Sequence, residues 1–361
     1  MKKVLFIASH RLNRSPGQRF RFEQYLSHLT KNGYSCDVSY LISEDDDIIF
    51  YKKGKLFRKL IIIIRSYLKR LRDAVRAGNY DLVFISRESF MTGSLFFEKQ
   101  FRRSGTKIIY DFDDSIWLLD TSYANKKYEW LKDPNKTSKI ISLSHMVFAG
   151  NRYLADYAAE FNSNVKIMPT TIDADKYKRM PVTKIQDVVC IGWTGSITTI
   201  KHFEYAIPFL KKIMEKYGNR VRIHVIGDGS YENEELKING IPWHEKNELK
   251  ELSFFDIGIM PLPDNEWTKG KCGLKGLQYM ALEIPAIMSP VGVNTEIVND
   301  GINGFLAGDE NEWIEKLSRL IDDKSLREKI GKEARKTVME KYSVDSQKNN
   351  YLNYFNELIN R

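Results

Sequence analysis

The sequence has few cysteines and no long apolar run. Only Cys36, Cys190 and Cys272 occur among 361 residues, an odd and widely spaced set that offers neither a disulfide framework nor a zinc cluster. This usage is typical of a reducing cytoplasm, where we expect the protein. The longest apolar runs, residues 4–8 and 60–64, have five residues each, far below the ~20 of a membrane-spanning helix.

Several familiar motifs are also missing. The short apolar run after Met1-Lys2-Lys3 lacks the h-region of a signal peptide, so we expect residues 4–8 to form a first strand. No Gly-x-Gly-x-x-Gly or Gly-x-Ser-x-Gly occurs, which argues against a dinucleotide oxidoreductase and a serine hydrolase. Asn265 and Cys272 stand where a P-loop around Gly270-Lys271 would need glycine and a hydroxyl. The six histidines include no close-spaced metal pair.

Acidic residues are scarce in one segment. Residues 52–76 contain ten Lys or Arg and one acid, Asp73, whereas the rest of the chain has 46 basic and 46 acidic residues. The net charge of +9 therefore comes from this one segment, and the rest of the chain is neutral overall. We expect no nucleic-acid partner, because a general nucleic-acid binder would be basic more widely.

Short apolar runs alternate with longer amphipathic stretches, which predicts α/β structure with parallel strands that helices cover on both faces. With a hinge near residues 168–181, we expect two doubly wound domains, 1–170 and 171–340, whose ligands lie in the cleft between them. Residues 341–361 are expected to form a helix that crosses back to the first domain. The predicted strands are 4–8, 37–42, 82–86, 107–110, 146–150 and 165–168, then 188–191, 221–226, 256–260, 286–289 and 304–306.

Two glycine loops end neighbouring predicted strands of the second half. Thr194, Gly195 and Ser196 follow the strand 188–191 and precede a predicted helix over 199–217, an arrangement that can bind an anion through free N–H groups. Gly227 lies in the loop after the next strand. The alternative is a plain tight turn in which Ser196 or Thr198 caps the helix.

The segment 267–282 is the richest in candidate residues. A helix that starts near Gly273 and Leu274 would place Lys271 and Lys275 beside its positive end, where cations and free amides could bind a diphosphate without a metal. Gln278, one turn further on, has an amide suited to ribose hydroxyls. The alternative is two solvated lysines and a surface glutamine, although the four glycines of this stretch favour a binding role.

An acidic cluster, Asp111-Phe112-Asp113-Asp114, follows the predicted strand 107–110. Its oxygens could hold Mg²⁺ or Mn²⁺. The cluster could equally be a polar loop that faces a sugar, and we expect no metal.

Four short segments of the second half carry a resemblance to a known family, in order and correctly spaced. They are Gln278-Tyr279-Met280-Ala281 through Pro285, Ser289-Pro290-Val291-Gly292, Glu296-Ile297-Val298 and Gly301-Ile302-Asn303-Gly304-Phe305-Leu306. With them the second half resembles the retaining glycosyltransferases of family 4, whose fold, called GT-B, has two Rossmann-like domains that face a central cleft. The resemblance extends more weakly over the first half.

This resemblance implies a nucleotide-sugar donor in the second domain and an acceptor in the first. Family members usually have two glutamates with seven residues between them, but Gly270 and Gln278 occupy those positions, which indicates a divergent branch. Gln278 keeps a plausible ribose partner. The basic residues that relatives often carry after the first strand of the second domain are also altered, to Thr194 and Lys201. Lys271 and Lys275 would then stabilise the leaving diphosphate.

On the acceptor side, Gly17 and Arg19 fall in what resembles the family's first glycine loop, and Asp113 stands where many relatives have a histidine near the transferred sugar. The expected function is transfer of a sugar to a glycan or lipid-linked acceptor in cell-envelope polysaccharide synthesis, with retention of the anomeric configuration and no cofactor. The alternative is a catalytically inactive protein that binds nucleotide sugars or assists assembly.

The basic segment also has helical periodicity. Apolar residues at 57, 60, 61, 64, 68, 71 and 75 predict a core stripe, with Ile62, Ile63 and the basic residues on the other faces. One interpretation is a crossover helix with a solvated basic face. The other is a basic amphipathic helix that binds the inner face of an anionic membrane.

Overall fold

The computed structural model describes residues 1–52, 54–118 and 133–360. The chain forms two compact units, one made of Met1–Pro169 with Lys348–Arg361 and the other of Thr170–Gln347. We call them unit 1 and unit 2. None of the helices in the described residues is both long and apolar enough to cross a membrane.

Unit 1 contains a six-stranded parallel sheet in the order β2-β1-β3-β4-β5-β6. Its central strands are almost wholly buried because helices cover both faces, which explains their near-continuous apolar runs. The strands are β1 (Lys2–His10), β2 (Tyr34–Ile42), β3 (Leu82–Ser86), β4 (Lys107–Phe112), β5 (Met146–Ala149) and β6 (Val165–Ile167).

The helices of unit 1 include one from the far end of the sequence. In that last helix the Tyr351 ring stacks on Tyr25 at 4.3 Å, and Phe355 lies 6.1 Å from Phe84 of β3. These aromatic contacts attach the end of the chain to the first sheet. The helices are α1 (Pro16–Arg19), α2 (Leu26–Lys31), α3 (Glu44–Phe50), α4 (Leu56–Arg76), α5 (Phe96–Arg103), α6 (Lys136–Leu143), α7 (Arg152–Ala159) and the last, α16 (Val344–Asn360).

Unit 2 repeats this design with a parallel sheet in the order β11-β8-β7-β12-β13-β14. A short antiparallel pair, β9 with β10, lies outside it. Its strands are β7 (Val189–Thr194), β8 (Val221–Gly227), β9 (Glu232–Asn233), β10 (Ile238–Asn239), β11 (Ile241–Pro242), β12 (Ile257–Met260), β13 (Ala286–Met288) and β14 (Phe305–Leu306).

Helices bury the core of unit 2 around Trp193, Leu210 and Leu317, and the Phe209 and Trp313 rings stack at 4.6 Å. The helices are α8 (Ile200–Glu204), α9 (Ile207–Tyr217), α10 (Glu248–Ser253), α11 (Glu266–Lys269), α12 (Leu274–Ala281), α13 (Asn294–Ile297), α14 (Glu310–Asp322) and α15 (Lys324–Thr337).

Two details of unit 2 differ from the sequence-based expectation. The predicted helix 199–217 is divided into α8 and α9, because Pro208 occupies the first turn of α9 and cannot continue a preceding helix. The strands β9, β10 and β11 were not predicted, since two-residue strands carry no periodic signal.

The orientation predicted for α4 is wrong. Ile62 and Arg70, expected on the outer faces, are buried together with Ser66 and Asp73, whereas the expected core residues Phe57, Leu60, Ile61, Ile64, Leu68 and Val75 are exposed. Hydrophobic periodicity identifies two opposite faces of a helix but not which of them packs against the rest of the protein. Lys53, part of the same basic segment, lies outside the described residues.

The strand orders fix where ligands can bind. In unit 2 the chain runs from β7 to β8 and β11 on one side and returns to β12 on the other, so the crevice lies beyond the carboxyl ends of β7 and β12. In unit 1 the same change of direction lies between β1 and β3. Open parallel sheets bind ligands at such points.

Candidate functional site

The two glycine loops of unit 2 touch at the edge of the sheet. A Cβ on Gly227, whose φ is +146°, would lie 2.1 Å from the carbonyl oxygen of Gly195. The Gly195 N–H donates to the Ile226 carbonyl at 2.9 Å. The structure therefore brings these predicted residues together, and neither position has room for a side chain.

The loop after β7 uses its own N–H groups internally. Thr194 N–H donates to the Tyr279 hydroxyl at 2.9 Å, and Ser196 N–H donates to Thr199 Oγ1 at 2.9 Å. Ser196 caps the short turn that follows. With Gly195 N–H also engaged, the N–H groups of all three residues have partners within the protein.

The other predicted anion-binding segment of unit 2 is the start of α12. Gly273 precedes Leu274 with φ +69°, a left-handed conformation that favours glycine. A Cβ there would also come within 2.3 Å of Ile297 Cδ1. The first N–H groups of a helix lack intrahelical acceptors and point outward along its axis. Gly273 thus allows the chain to turn sharply into the first turn of α12.

Both predicted lysines lie at this end of α12, each over an indole. Lys271 Nζ is 5.0 Å from the centre of the Trp267 ring, and Lys275 Nζ is 5.5 Å from that of Trp193. Both side chains are half-buried. An aromatic face attracts a cation without neutralising it.

Gln278 is more deeply buried than a side chain that contacts a ribose at the protein surface would be. Its side chain is only 4% exposed, and its amide nitrogen donates to the Tyr177 hydroxyl at 3.0 Å and to Glu248 at 3.2 Å. Glu248 also accepts hydrogen bonds from Tyr177 and from the Trp243 indole. Gln278 therefore belongs to a buried polar network in which Glu248 supplies the carboxylate.

Sequence reasoning missed Glu248, Tyr177 and a further residue, Asn294. The Asn294 side chain is buried, its nitrogen donates to the Ser289 carbonyl, and within the described part of the chain its oxygen has no hydrogen-bond partner. That oxygen lies 3.7 Å from the Cβ position of Gly273. Asn294 lies between two segments that carry the family resemblance, 289–292 and 296–298, and nothing in the sequence indicated its contact with α12.

Two of the three predicted residues of unit 1, Gly17 and Asp113, lie beside an arginine. Arg87, which follows β3, donates to Asp113 at 2.7 Å and lies 3.2 Å from Asp114. A Cβ on Gly17 would come within 3.0 Å of its guanidinium. Burial acts to lower the pKa of Arg87, but Asp113 and Asp114 raise it above its usual value.

Arg19 ends α1 and stacks its guanidinium 4.5 Å from the centre of the Phe20 ring. Arg87 itself, a non-glycine residue with φ +63°, gave no signal in the sequence.

The acidic cluster is matched by guanidinium groups. Asp111 is buried and pairs with Arg21 at 2.5 Å. Burial raises the pKa of Asp111, and the charge of Arg21 opposes that rise. Among the described residues, no group of three or more His, Cys, Asp or Glu side chains is placed to hold a metal ion.

Sequence comparisons with known proteins match part of this chain. Residues 188–323, most of unit 2, match the family model for glycosyl transferases group 1. The capsular polysaccharide biosynthesis glycosyltransferase CapM of Staphylococcus aureus is 30% identical over 179 residues, which are 47% of this chain and 45% of that protein. The sulfoquinovosyl transferase SQD2 of Arabidopsis thaliana is 32% identical over 149 residues, 38% of this chain and 28% of that protein. The matched part thus spans less than half of these relatives.

Solved structures are similar over almost the whole chain. The structure of Anabaena HepE with UDP and glucose has a TM-score of 0.68 at 12% identity and covers 99% of this chain and 100% of its own. Sucrose-phosphate synthase from Thermosynechococcus elongatus has a TM-score of 0.70 at 13% identity, with 99% of each chain covered. These similarities confirm the predicted GT-B fold of two parallel-sheet α/β domains.

Proposed function

We propose that the protein is a glycosyltransferase that moves a sugar from a nucleoside diphosphate sugar to a glycan or lipid-linked acceptor. The observation that carries this proposal is the pair Lys271 and Lys275 at the start of α12, within the segment that matches group 1 glycosyltransferases. Two cations at a helix N-terminus are suited to a diphosphate.

The chemistry follows from charge. When the bond between the anomeric carbon and the diphosphate breaks, negative charge develops on the leaving oxygen. Lys271, Lys275 and the first N–H groups of α12 would stabilise it without rearrangement. The acceptor hydroxyl then attacks from the face that the diphosphate leaves and gives its proton to the leaving phosphate oxygen, so the anomeric configuration is retained and no protein nucleophile is needed.

The remaining residues support donor and acceptor roles. Thr194, Gly195, Ser196 and Gly227 lie at the same sheet edge as the lysines, and Asn294 offers a buried oxygen that can accept from a hydroxyl of the donor. In unit 1, Gly17 and Asp113 meet around Arg87, at the edge where an acceptor would bind. The similarity to CapM favours an acceptor of cell-envelope polysaccharide synthesis.

The first experiment is a thermal-shift panel of nucleotides and nucleotide sugars, because a ligand that binds only the native state raises Tm. UDP and UDP-glucose belong in it, since HepE was solved with both. The nucleotide sugar that stabilises most is then used to measure transfer to glycan and lipid-linked acceptors. If no nucleoside diphosphate or nucleotide sugar stabilises the folded protein, the proposal is wrong.

Retention is tested on the product. NMR coupling constants of the new linkage should show the configuration of the donor, so that an α-linked donor gives an α-glycoside. An inverted product would contradict the same-face attack while leaving sugar transfer itself intact.

One observation favours a second candidate, a binding protein without activity. The family glutamates are replaced by Gly270 and Gln278, and the amide of Gln278 is engaged with Tyr177 and Glu248. Turnover separates the two functions, because an enzyme also hydrolyses its donor slowly without acceptor. Stoichiometric donor binding with neither transfer nor hydrolysis would identify the binding protein.

A further inference from the structure

Helix α4 presents its apolar face outward. Phe57 is 74% exposed, Leu68 58% and Val75 88%, and Leu60, Ile61 and Ile64 are exposed between them. At roughly 100° per residue these side chains share one face, opposite the buried face of Ile62, Ser66, Arg70 and Asp73. We call this exposed face the α4 stripe.

The stripe cannot turn inward, because polar contacts hold the opposite face. The fully buried Arg70 donates to Asp73 at 2.9 Å, to the Ser89 carbonyl at 2.8 Å and to the Ala8 carbonyl at 3.0 Å. Rotation of the helix would leave the guanidinium and the Asp73 carboxylate without these partners in an apolar environment, which is strongly unfavourable. The exposed stripe is thus built into the fold of unit 1.

Basic residues border the stripe along one side. Arg58, Arg65, Lys69 and Arg72 are exposed and follow the same flank of the helix, between the stripe and the buried face. The helix has 21 residues and is therefore about 30 Å long. This combination of a long apolar face with a cationic flank is typical of helices that lie in a membrane interface.

The acids of the neighbouring helix α3 cancel only part of this charge. Asp46 pairs with Arg65 of the flank, whereas Asp47 pairs with Arg11 at 2.8 Å and with Arg14 at 2.5 Å. Ile48, also in α3, is 56% exposed. The side of unit 1 around α4 therefore remains apolar and basic.

We propose that α4 docks the protein on an anionic membrane, with the α4 stripe in the headgroup region and its basic flank on the lipid phosphates. Charge favours this occupant over a second copy of the chain. An antiparallel symmetric pairing of two stripes would bring Arg58 and Arg72 of both copies together, and like charges repel. An anionic surface matches both properties of the helix.

This inference deepens the proposed function, because it would bring a lipid-linked acceptor to unit 1, and it rests on that function for its purpose. Its test does not use sugar transfer. Vesicle binding and donor-induced stabilisation are measured separately, so failure of one leaves the other standing.

The experiment is co-sedimentation of the full chain with vesicles of phosphatidylcholine alone or mixed with phosphatidylglycerol. We expect binding to the mixed vesicles only, and release as salt is added because the attraction is screened. Arg58→Gln with Arg72→Gln should lower the partition coefficient roughly tenfold or more. Ile64→Gln with Leu68→Gln should lower it similarly, because it removes apolar surface.

Matched controls change the same residue types elsewhere. Lys329→Gln with Lys332→Gln removes two exposed charges of α15, and Ile185→Gln with Met339→Gln removes two exposed apolar side chains of unit 2. Neither pair should alter vesicle binding. Circular dichroism and Tm establish that every variant is folded.

Three results would overturn the proposal. They are equal binding to neutral and anionic vesicles, full binding by both α4 variants, and self-association of the chain that Ile64→Gln with Leu68→Gln abolishes while no vesicle binding is seen. The last would assign the α4 stripe to a second copy instead.

Discussion

The side-chain amide of Gln278 donates a hydrogen bond of 3.2 Å to the carboxylate of Glu248. Gln278 lies on α12 and Glu248 on α10, and both side chains are buried. A glutamate at position 278, as in the resembled family, would place a second carboxylate against the first. The glutamine at position 278, which replaces the glutamate of the resembled family, thus suits the carboxylate of Glu248 that it contacts.

We therefore predict that Gln278→Glu destabilises the protein, by about 2–3 kcal/mol, because it replaces a donor to a buried carboxylate by a like charge. Urea unfolding at pH 7 measures this. The double variant Gln278→Glu with Glu248→Gln exchanges the two groups and should recover most of the loss. A single variant as stable as the native protein would show that the contact contributes little.

Lys275→Ala should weaken binding of the cognate nucleoside diphosphate by about 1.5–3 kcal/mol, the range of a hydrogen bond to a charged group. Calorimetric titration gives the value. Lys269→Ala is the matched control, since that lysine lies in the same segment but its ammonium pairs with Glu266 at 2.6 Å. Equal affinity in the native protein and Lys275→Ala would remove Lys275 from the phosphate site.

Turnover should survive excess EDTA. The lysines and the N-terminus of α12 supply the positive charge that a divalent ion would otherwise bring, and Asp113 and Asp114 face Arg87. The assay compares donor consumption before and after chelation, with Mn²⁺ added back. Loss of activity that Mn²⁺ restores would instead make the acidic cluster a metal site.

Stability should fall as the pH is lowered from about 7 towards 4. Burial, and after it the charge of Arg102, lowers the pKa of His145 to about 4, against an ordinary value of 6.5. Burial and the charge of Arg222 lower the pKa of His224 to about 4 as well. Between these values the unfolded chain binds more protons than the folded one, so protonation favours unfolding. The loss should be on the order of 1–3 kcal/mol for each histidine.

Chemical denaturation across this pH range tests the prediction. His145→Gln with His224→Gln should flatten the dependence, whereas His244→Gln, at an exposed position, should leave it unchanged. An unaltered slope in the double variant would assign the dependence to other groups.

The sequence indicated the sheets better than the site. All eleven predicted strands overlap observed ones, because a strand covered on both faces needs an apolar side chain at almost every position. A helix start near Gly273 was also predicted, and α12 does begin at Leu274, directly after Gly273. Arg87 and Glu248 were not predicted, because their partners Asp113 and Gln278 lie 26 and 30 residues away.

The sequence by itself determined the α/β class, the position of the lysine pair and the amphipathic character of α4, since each depends on neighbours within a few residues. Only the tertiary structure decided how these elements are used. Arg70 donates to the carbonyl groups of Ser89 and Ala8, and these contacts keep the apolar face of α4 outward. Gln278 forms a hydrogen bond with Glu248 because α10 and α12 lie side by side in the fold. Periodicity defines the faces of an element, but long-range contacts decide which face is buried.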